Sequence, residues 1–79
     1  MDQSPKIDVH GMRGEEAARA VAINLREFCR MGYPEVFIVH GHGTGVLKQK
    51  IRNMLDNHGY KYRSGRYGEG GDGVTVVCF

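Results

Sequence analysis

A chain of 79 residues and 8.8 kDa makes one domain, and it hides only about 60–65% of the surface it exposes when unfolded. Its 41% hydrophobic and 25% charged residues are those of an ordinary soluble globular protein, and no apolar run approaches the roughly 18 residues of a membrane span. Residues 1–6 carry no apolar stretch, which argues against a signal peptide and leaves the cytoplasm as the expected compartment, with no membrane partner.

The formal net charge is +2, but the cations are uneven. Lys48, Lys50, Arg52, Lys61, Arg63 and Arg66 face one acid, Asp56, within residues 44–67. A basic half interleaved with Tyr60, Tyr62 and Tyr67 suits a polyanion, with a solvated basic face as the alternative. Cys29 and Cys78 have neither disulfide-scaffold nor metal-ligand spacing and read as buried free thiols.

Residues 1–6 read as a frayed end or a remnant of cloning. Ile7 to His10 then alternates apolar and polar side chains, as a strand does. From Glu15 to about Met31, Ala17, Val21, Leu25 and Phe28 recur on one helical face, and Gly32 and Pro34 end the helix. Val36 to Val39 is a continuous apolar run, predicted as a strand buried on both faces. A second helix places Leu47, Ile51, Met54, Leu55 and His58 on its apolar side, and Asn57 to Gly59 closes it. Residues 60–67 read as a polar edge strand, residues 68–73 as a loop and residues 74–79 as a β-prone last strand. The order is β-α-β-α-β-β, with two crossovers and a closing hairpin.

Eight of the twelve glycines fall in two loops, residues 41–45 and 65–73. In His40-Gly41-His42-Gly43-Thr44-Gly45, alternate glycines let backbone amides approach an anion ahead of a helix N-terminus. That is a phosphate cradle by composition, or else a plain tight turn. It has neither nucleoside-triphosphate P-loop spacing nor a dinucleotide fingerprint.

Asp8 and His10 share one strand face. If the first two strands are parallel neighbours, His10 lies near His40 at the ligand-binding strand ends. Two histidines and a carboxylate then supply base, acid and orienting group. The alternative is a helix-capping Asp8 with merely exposed histidines. His40, His42, His10 and Asp8 also invite a metal reading, but they lack the usual fixed zinc ligand set, and no metal site is expected. His58 reads as structural, and Met12, Met31 and Met54 as core or boundary residues.

At these residues the chain resembles the Smr (small MutS-related) domain. The matching segments are Ile7-Asp8-Val9-His10-Gly11, Glu16-Ala17, His40 to Leu47, and Gly70-Gly71-Asp72-Gly73-Val74-Thr75-Val76-Val77. Gly32-Tyr33-Pro34 and the Gly43-Thr44-Gly45 form of the loop are most similar to the Smr domain at the C-terminus of the bacterial second MutS paralogue, where arginine often stands in place of His10. The resemblance covers residues 7–79. It implies an α/β two-layer sandwich with a mixed four-stranded sheet, like the C-terminal domain of translation initiation factor three.

It also implies an endonuclease that nicks DNA or cleaves messenger RNA on stalled ribosomes. A non-catalytic RNA- or DNA-binding module of the same fold is the rival. Carried over by motif, Asp8, His10 and His40 become catalytic candidates. Gly41, Gly43 and Gly45 become the phosphate cradle, joined by His42 and Thr44. Lys48, Arg52, Lys61, Arg63 and Arg66 are the expected phosphate-holding cations, with no sequence readout. The implied partners are RNA or DNA, the ribosome, and ATPase domains of a parent chain. A base and an acid histidine predict a bell-shaped pH–rate profile with no metal required for RNA. Mg²⁺ or Mn²⁺ would assist DNA nicking.

Overall fold

Alternation at the start of the chain sends Ile7 and Val9 inward and Asp8 and His10 outward, and the computed structural model, which describes residues 4–79, forms strand β1 over Lys6–Asp8. Helix α1 spans Gly14–Arg30, burying Ala17, Val21 and Leu25 on the predicted stripe. Glu15 and Glu16 in its first turn and Arg30 in its last complement the helix dipole. Strand β2 is Glu35–Val39, helix α2 Val46–His58, strand β3 Lys61–Ser64 and strand β4 Val74–Cys78, which a single 3₁₀ turn at Gly71–Gly73 precedes.

The sheet order is β1-β2-β4-β3. β1 runs parallel to β2, while β4 lies between β2 and β3 and antiparallel to both. The mixed four-stranded sheet is therefore as expected. The second crossover skips a position, which the returning β4 fills.

One core joins Ile7, Val9, Val36, Ile38 and Val77 of the sheet to Ala17, Val21, Leu25, Ile51 and Leu55 of the helices. Both helices thus cover the same face. Register places Ile7, Ile38, Thr75 and Ser64 in one row on that face, and Lys6, Phe37, Val76 and Arg63 in a row on the other. The expectation that β2 is buried on both faces is corrected here. Val36 and Ile38 are buried, but Glu35, Phe37 and Val39 are half-exposed because no helix covers the second face.

Both cysteines are exposed, not buried. Cys29 falls one position past Phe28, which ends the apolar stripe of α1, and Cys78 is the last residue of β4, beside Glu35 and Lys61. Met31 is exposed beyond the helix end, whereas Met12 and Met54 pack on the core. His58 leaves the apolar side as well: its exposed ring donates through Nδ1 to the Met54 carbonyl at 2.9 Å and stacks on Tyr60.

Of the segment expected to fray, residues 1–3 lie outside the described residues. Ser4 donates to Glu35 at 3.0 Å and the Pro5 carbonyl accepts from Phe37 at 2.9 Å, so the sheet edge already holds the chain there.

The strand directions bring the ends of β1, β2 and β3 and the start of β4 to one edge. Three loops gather there: residues 9–13, 40–45 and 65–73.

Candidate active site

The first loop begins with a closed contact between neighbours. Asp8 Oδ1 accepts from the His10 backbone amide at 3.1 Å and from His10 Nδ1 at 2.5 Å. Asp8 therefore does not cap a helix. Nδ1 carries the proton toward the carboxylate, which leaves Nε2 as the free ring nitrogen. The imidazole is 69% exposed, so that nitrogen meets water. The hydrogen bond from His10 pulls the Asp8 carboxyl below its ordinary value, and the same bond lifts His10 above that of a free histidine.

The second loop docks against the first and the third. Its His40 and Gly41 amides both donate to the Gly73 carbonyl, at 3.1 and 3.0 Å. Gly41 has φ +88°, and a side chain there would begin 3.6 Å from the β-carbon of His10. Gly73 permits a second close approach, because a β-carbon on it would sit 2.8 Å from the His42 ring.

Between the loops lies a cleft of about 300 Å³, walled by Gly11 and Met12 on one side and by Gly43, Gly45, Val46 and Lys48 on the other, with His40 and Gly41 also lining it. The first hydrogen bond within α2 is from Gln49 to Gly45, and no side chain caps the helix start other than a long 3.4 Å approach of Thr44 Oγ1 to Val46. The amides of Leu47 and Lys48 are thus free donors, that of Val46 has only the long Thr44 contact, and the positive end of the helix dipole lies at the cleft. This arrangement suits an anion.

His40 does not join His10. It is only 5% exposed, turned to the helix side of the sheet. Its Nε2 lies 2.9 Å from Thr75 Oγ1, and its Nδ1 lies 3.0 Å from the Gly41 carbonyl. Arg52 Nε donates to the same Thr75 oxygen at 3.1 Å, and Arg52 Nη2 donates to Ser64 Oγ at 2.9 Å. Arginine only donates, so the threonine proton goes to His40 Nε2, and His40 Nδ1–H donates to Gly41. Both ring nitrogens are occupied. Burial holds the His40 pKa below its ordinary value, and the charges of Arg52, Lys48 and His42 act the same way. Of the expected triad, the structure brings Asp8 and His10 together as an exposed pair and holds His40 buried, with both ring nitrogens bonded to Thr75 and the glycine loop.

The expected phosphate-holding cations separate too. Lys48 lines the cleft and Arg66 is exposed in the third loop. Arg52 lies half-buried beneath the cleft, over the Tyr62 ring at 5.2 Å. Arg63 is on the uncovered sheet face, paired with Glu69 at 2.8 Å and within 3.9 Å of Glu35. That pairing, with the Arg66 amide, holds Glu69 down to about 2. Lys61 begins β3 at the opposite end of the sheet. Among the described residues, no three His, Cys, Asp or Glu side chains converge as a metal site.

Residues 7–79 match the family model described as the Smr domain. The chain belongs to the Smr domain family. This Smr domain is 53% identical over 73 residues to the protein named Endonuclease MutS2 from Clostridium botulinum (strain ATCC 19397 / Type A), and 49% identical to that from Clostridium novyi (strain NT). Each match takes in 90% of this chain but only 9% of the relative, so the chain spans about a tenth of their length. Its fold follows the crystal structure of the Smr domain of Thermus thermophilus MutS2 with a TM-score of 0.88 and 36% identity, covering 94% of this chain and 95% of that one.

Sequence reasoning passed over Thr75 as a site residue. Its signal was present: a lone hydroxyl in the buried run Val74 to Val77 needs a partner. Threonine is also a good strand former, which hid the signal. Thr75→Val should leave His40 Nε2 and Arg52 Nε without their oxygen and destabilise the domain by about 1–3 kcal/mol. Urea denaturation measures this, and Thr75→Ser should restore most of the loss.

Proposed function

We propose that this Smr domain is an endonuclease that cuts a phosphodiester bond of RNA or DNA without reading base sequence. The observation that carries the reading is the free Nε2 of His10, held by Asp8 in the loop whose next residues, Gly11 and Met12, wall a cleft that also takes in the start of α2 with its unpaired Leu47 and Lys48 amides. A phosphate seated on the amides that open α2, with Lys48 alongside, would present its bridging oxygens to that edge. His10 moves the proton, and Asp8 fixes its tautomer and favours its charged form. His40, both of whose ring nitrogens are bonded to Gly41 and Thr75, keeps the cradle in shape.

One carboxylate beside one free imidazole is not the donor set of a resident divalent ion, so no step is assigned to a metal. The names of the relatives, each an endonuclease about ten times the length of this chain, support a nuclease module in a larger protein. We place it in a MutS-like ATPase that acts in DNA recombination and repair or at stalled ribosomes.

Lys48 lines the cleft and Arg66 is exposed in the third loop at the same sheet edge, so two phosphates are the expected electrostatic footprint. Single-strand affinity should then fall about sevenfold between 50 and 200 mM salt. Fluorescence anisotropy on several unrelated sequences, with a gel assay for cleavage, tests this. Affinity that ignores salt, or cutting confined to one sequence, would count against it.

A further inference from the structure

The chain has four tyrosines, and the fold accounts for three of them. Tyr33 packs edge-on against Phe28 with centroids 5.6 Å apart. Tyr60 lies against Phe79 and His58. Tyr62 donates its hydroxyl to Asp56 at 2.9 Å and carries Arg52 on its ring. Tyr67 is different: its side chain is fully exposed.

The turn that carries Tyr67 is well tied. The Glu69 amide donates to the Arg66 carbonyl at 2.8 Å, closing a four-residue turn, and Gly71 reaches the same oxygen at 3.3 Å. Gly68, at the third position, has φ +94°, the sign a type II turn requires there. Glu69 turns back to accept from the Arg66 amide at 2.7 Å and from Arg63 at 2.8 Å. Further along, Gly73 closes on His40 and Gly41 of the cradle loop. The exposed ring therefore sits on an anchored turn that shares its base with the proposed phosphate site, and Arg66 is next to it.

A flat aromatic face on a basic, phosphate-binding edge fits one ligand class. We propose that Tyr67, with Arg66, forms a stacking site for an unpaired nucleobase next to the phosphate held in the cleft. This rests on the nucleic-acid reading of that edge and deepens it to a substrate class. Every base offers a π-face, so the contact adds affinity without sequence preference. In a duplex both faces of each base are covered by its neighbours, so a single ring engages only unpaired segments, loops and ends. Arg66 adds its charge to the flanking phosphate. The domain thereby selects single-stranded positions.

The test uses the 79-residue chain, a 12-nucleotide single-stranded RNA and the same sequence closed into a duplex. Tyr67 has no internal packing to lose, so Tyr67→Ala should keep the urea midpoint. It should weaken single-strand binding about 5- to 150-fold and leave duplex binding unchanged. Tyr67→Trp should bind normally. Because the chain has no tryptophan of its own, quenching of the introduced indole by the single strand reports stacking directly. Unchanged single-strand binding by Tyr67→Ala, equal losses on both ligands, or indole fluorescence that the single strand leaves unquenched in Tyr67→Trp overturns the stacking site alone. Failure of the unaltered chain to bind either nucleic acid overturns the nuclease reading, and the stacking site with it.

Discussion

His10→Ala should slow cleavage by about 10²- to 10⁴-fold, the usual worth of a positioned proton-transfer group, while nucleic-acid binding stays close to that of the unaltered chain. The ring is exposed in the loop that leads into the cleft wall at Gly11 and holds none of the amides that would grip phosphate. His40→Ala should behave differently. Removing the imidazole frees the Thr75 hydroxyl and the Gly41 carbonyl that it joins, so the cradle loosens and binding falls together with cleavage.

Equal effects of the two substitutions, both sparing binding, would return His40 to the reacting atoms. The pH dependence follows from the same bond. Asp8 raises the His10 pKa, so the protonated ring is fully present below the ordinary histidine range and is lost as pH rises through the raised value. If His10 donates the proton to the leaving oxygen, activity declines along that alkaline limb. Asp8→Asn should move the limb to lower pH. The acid limb of the expected bell loses its basis in His40, whose nitrogens are both occupied and whose neutral form burial already favours.

What could be read from the chain was whatever depends on local pattern. The helical stripe Ala17, Val21 and Leu25, the parallel pairing of the first two strands, and the glycine loop after the second all follow from period and turn chemistry, although β1 ends at Asp8 and not at the expected His10. What was missed depends on which way a side chain points once the layers are set. The apolar run Val36 to Val39 reads the same whether one face of the sheet is covered or two. His40 follows Ile38 onto the helix side by simple alternation, while register puts Asp8 with Val39 on the other. Two histidines can thus share a sheet edge and still face apart. Arg63 looked like a phosphate ligand because its partner Glu69 is six residues away, across a turn whose closure only the fold reveals.

The largest substrate effect concerns the nucleophile, and a single 2′-deoxy sugar at the cut position should stop RNA cleavage. The candidate site offers the free imidazole of His10, with His42 exposed in the adjoining loop, and one carboxylate. Glu69, in the third loop, is committed to Arg63 and the Arg66 amide. RNA brings its own nucleophile. The 2′ oxygen, which gives its proton to solvent water as it attacks, is already positioned against the phosphorus, and such intramolecular attack is worth an effective molarity of about 10⁵–10⁸ M. Amides at the start of α2 would offset charge growing on the phosphate oxygens, and His10 would protonate the 5′ oxygen as it leaves.

DNA removes that nucleophile. Water must then be bound and activated, a task usually given to a divalent ion held by several carboxylates. The expected pattern is RNA cleavage unaffected by EDTA, loss of cutting at the deoxy position alone, and DNA nicking that is slow and stimulated by added Mg²⁺ or Mn²⁺. The assay follows end-labelled strands, with and without the substitution, on a sequencing gel. Undiminished cutting at the deoxy position would show that water is the nucleophile. RNA cleavage abolished by EDTA would show that an ion does work here assigned to His10.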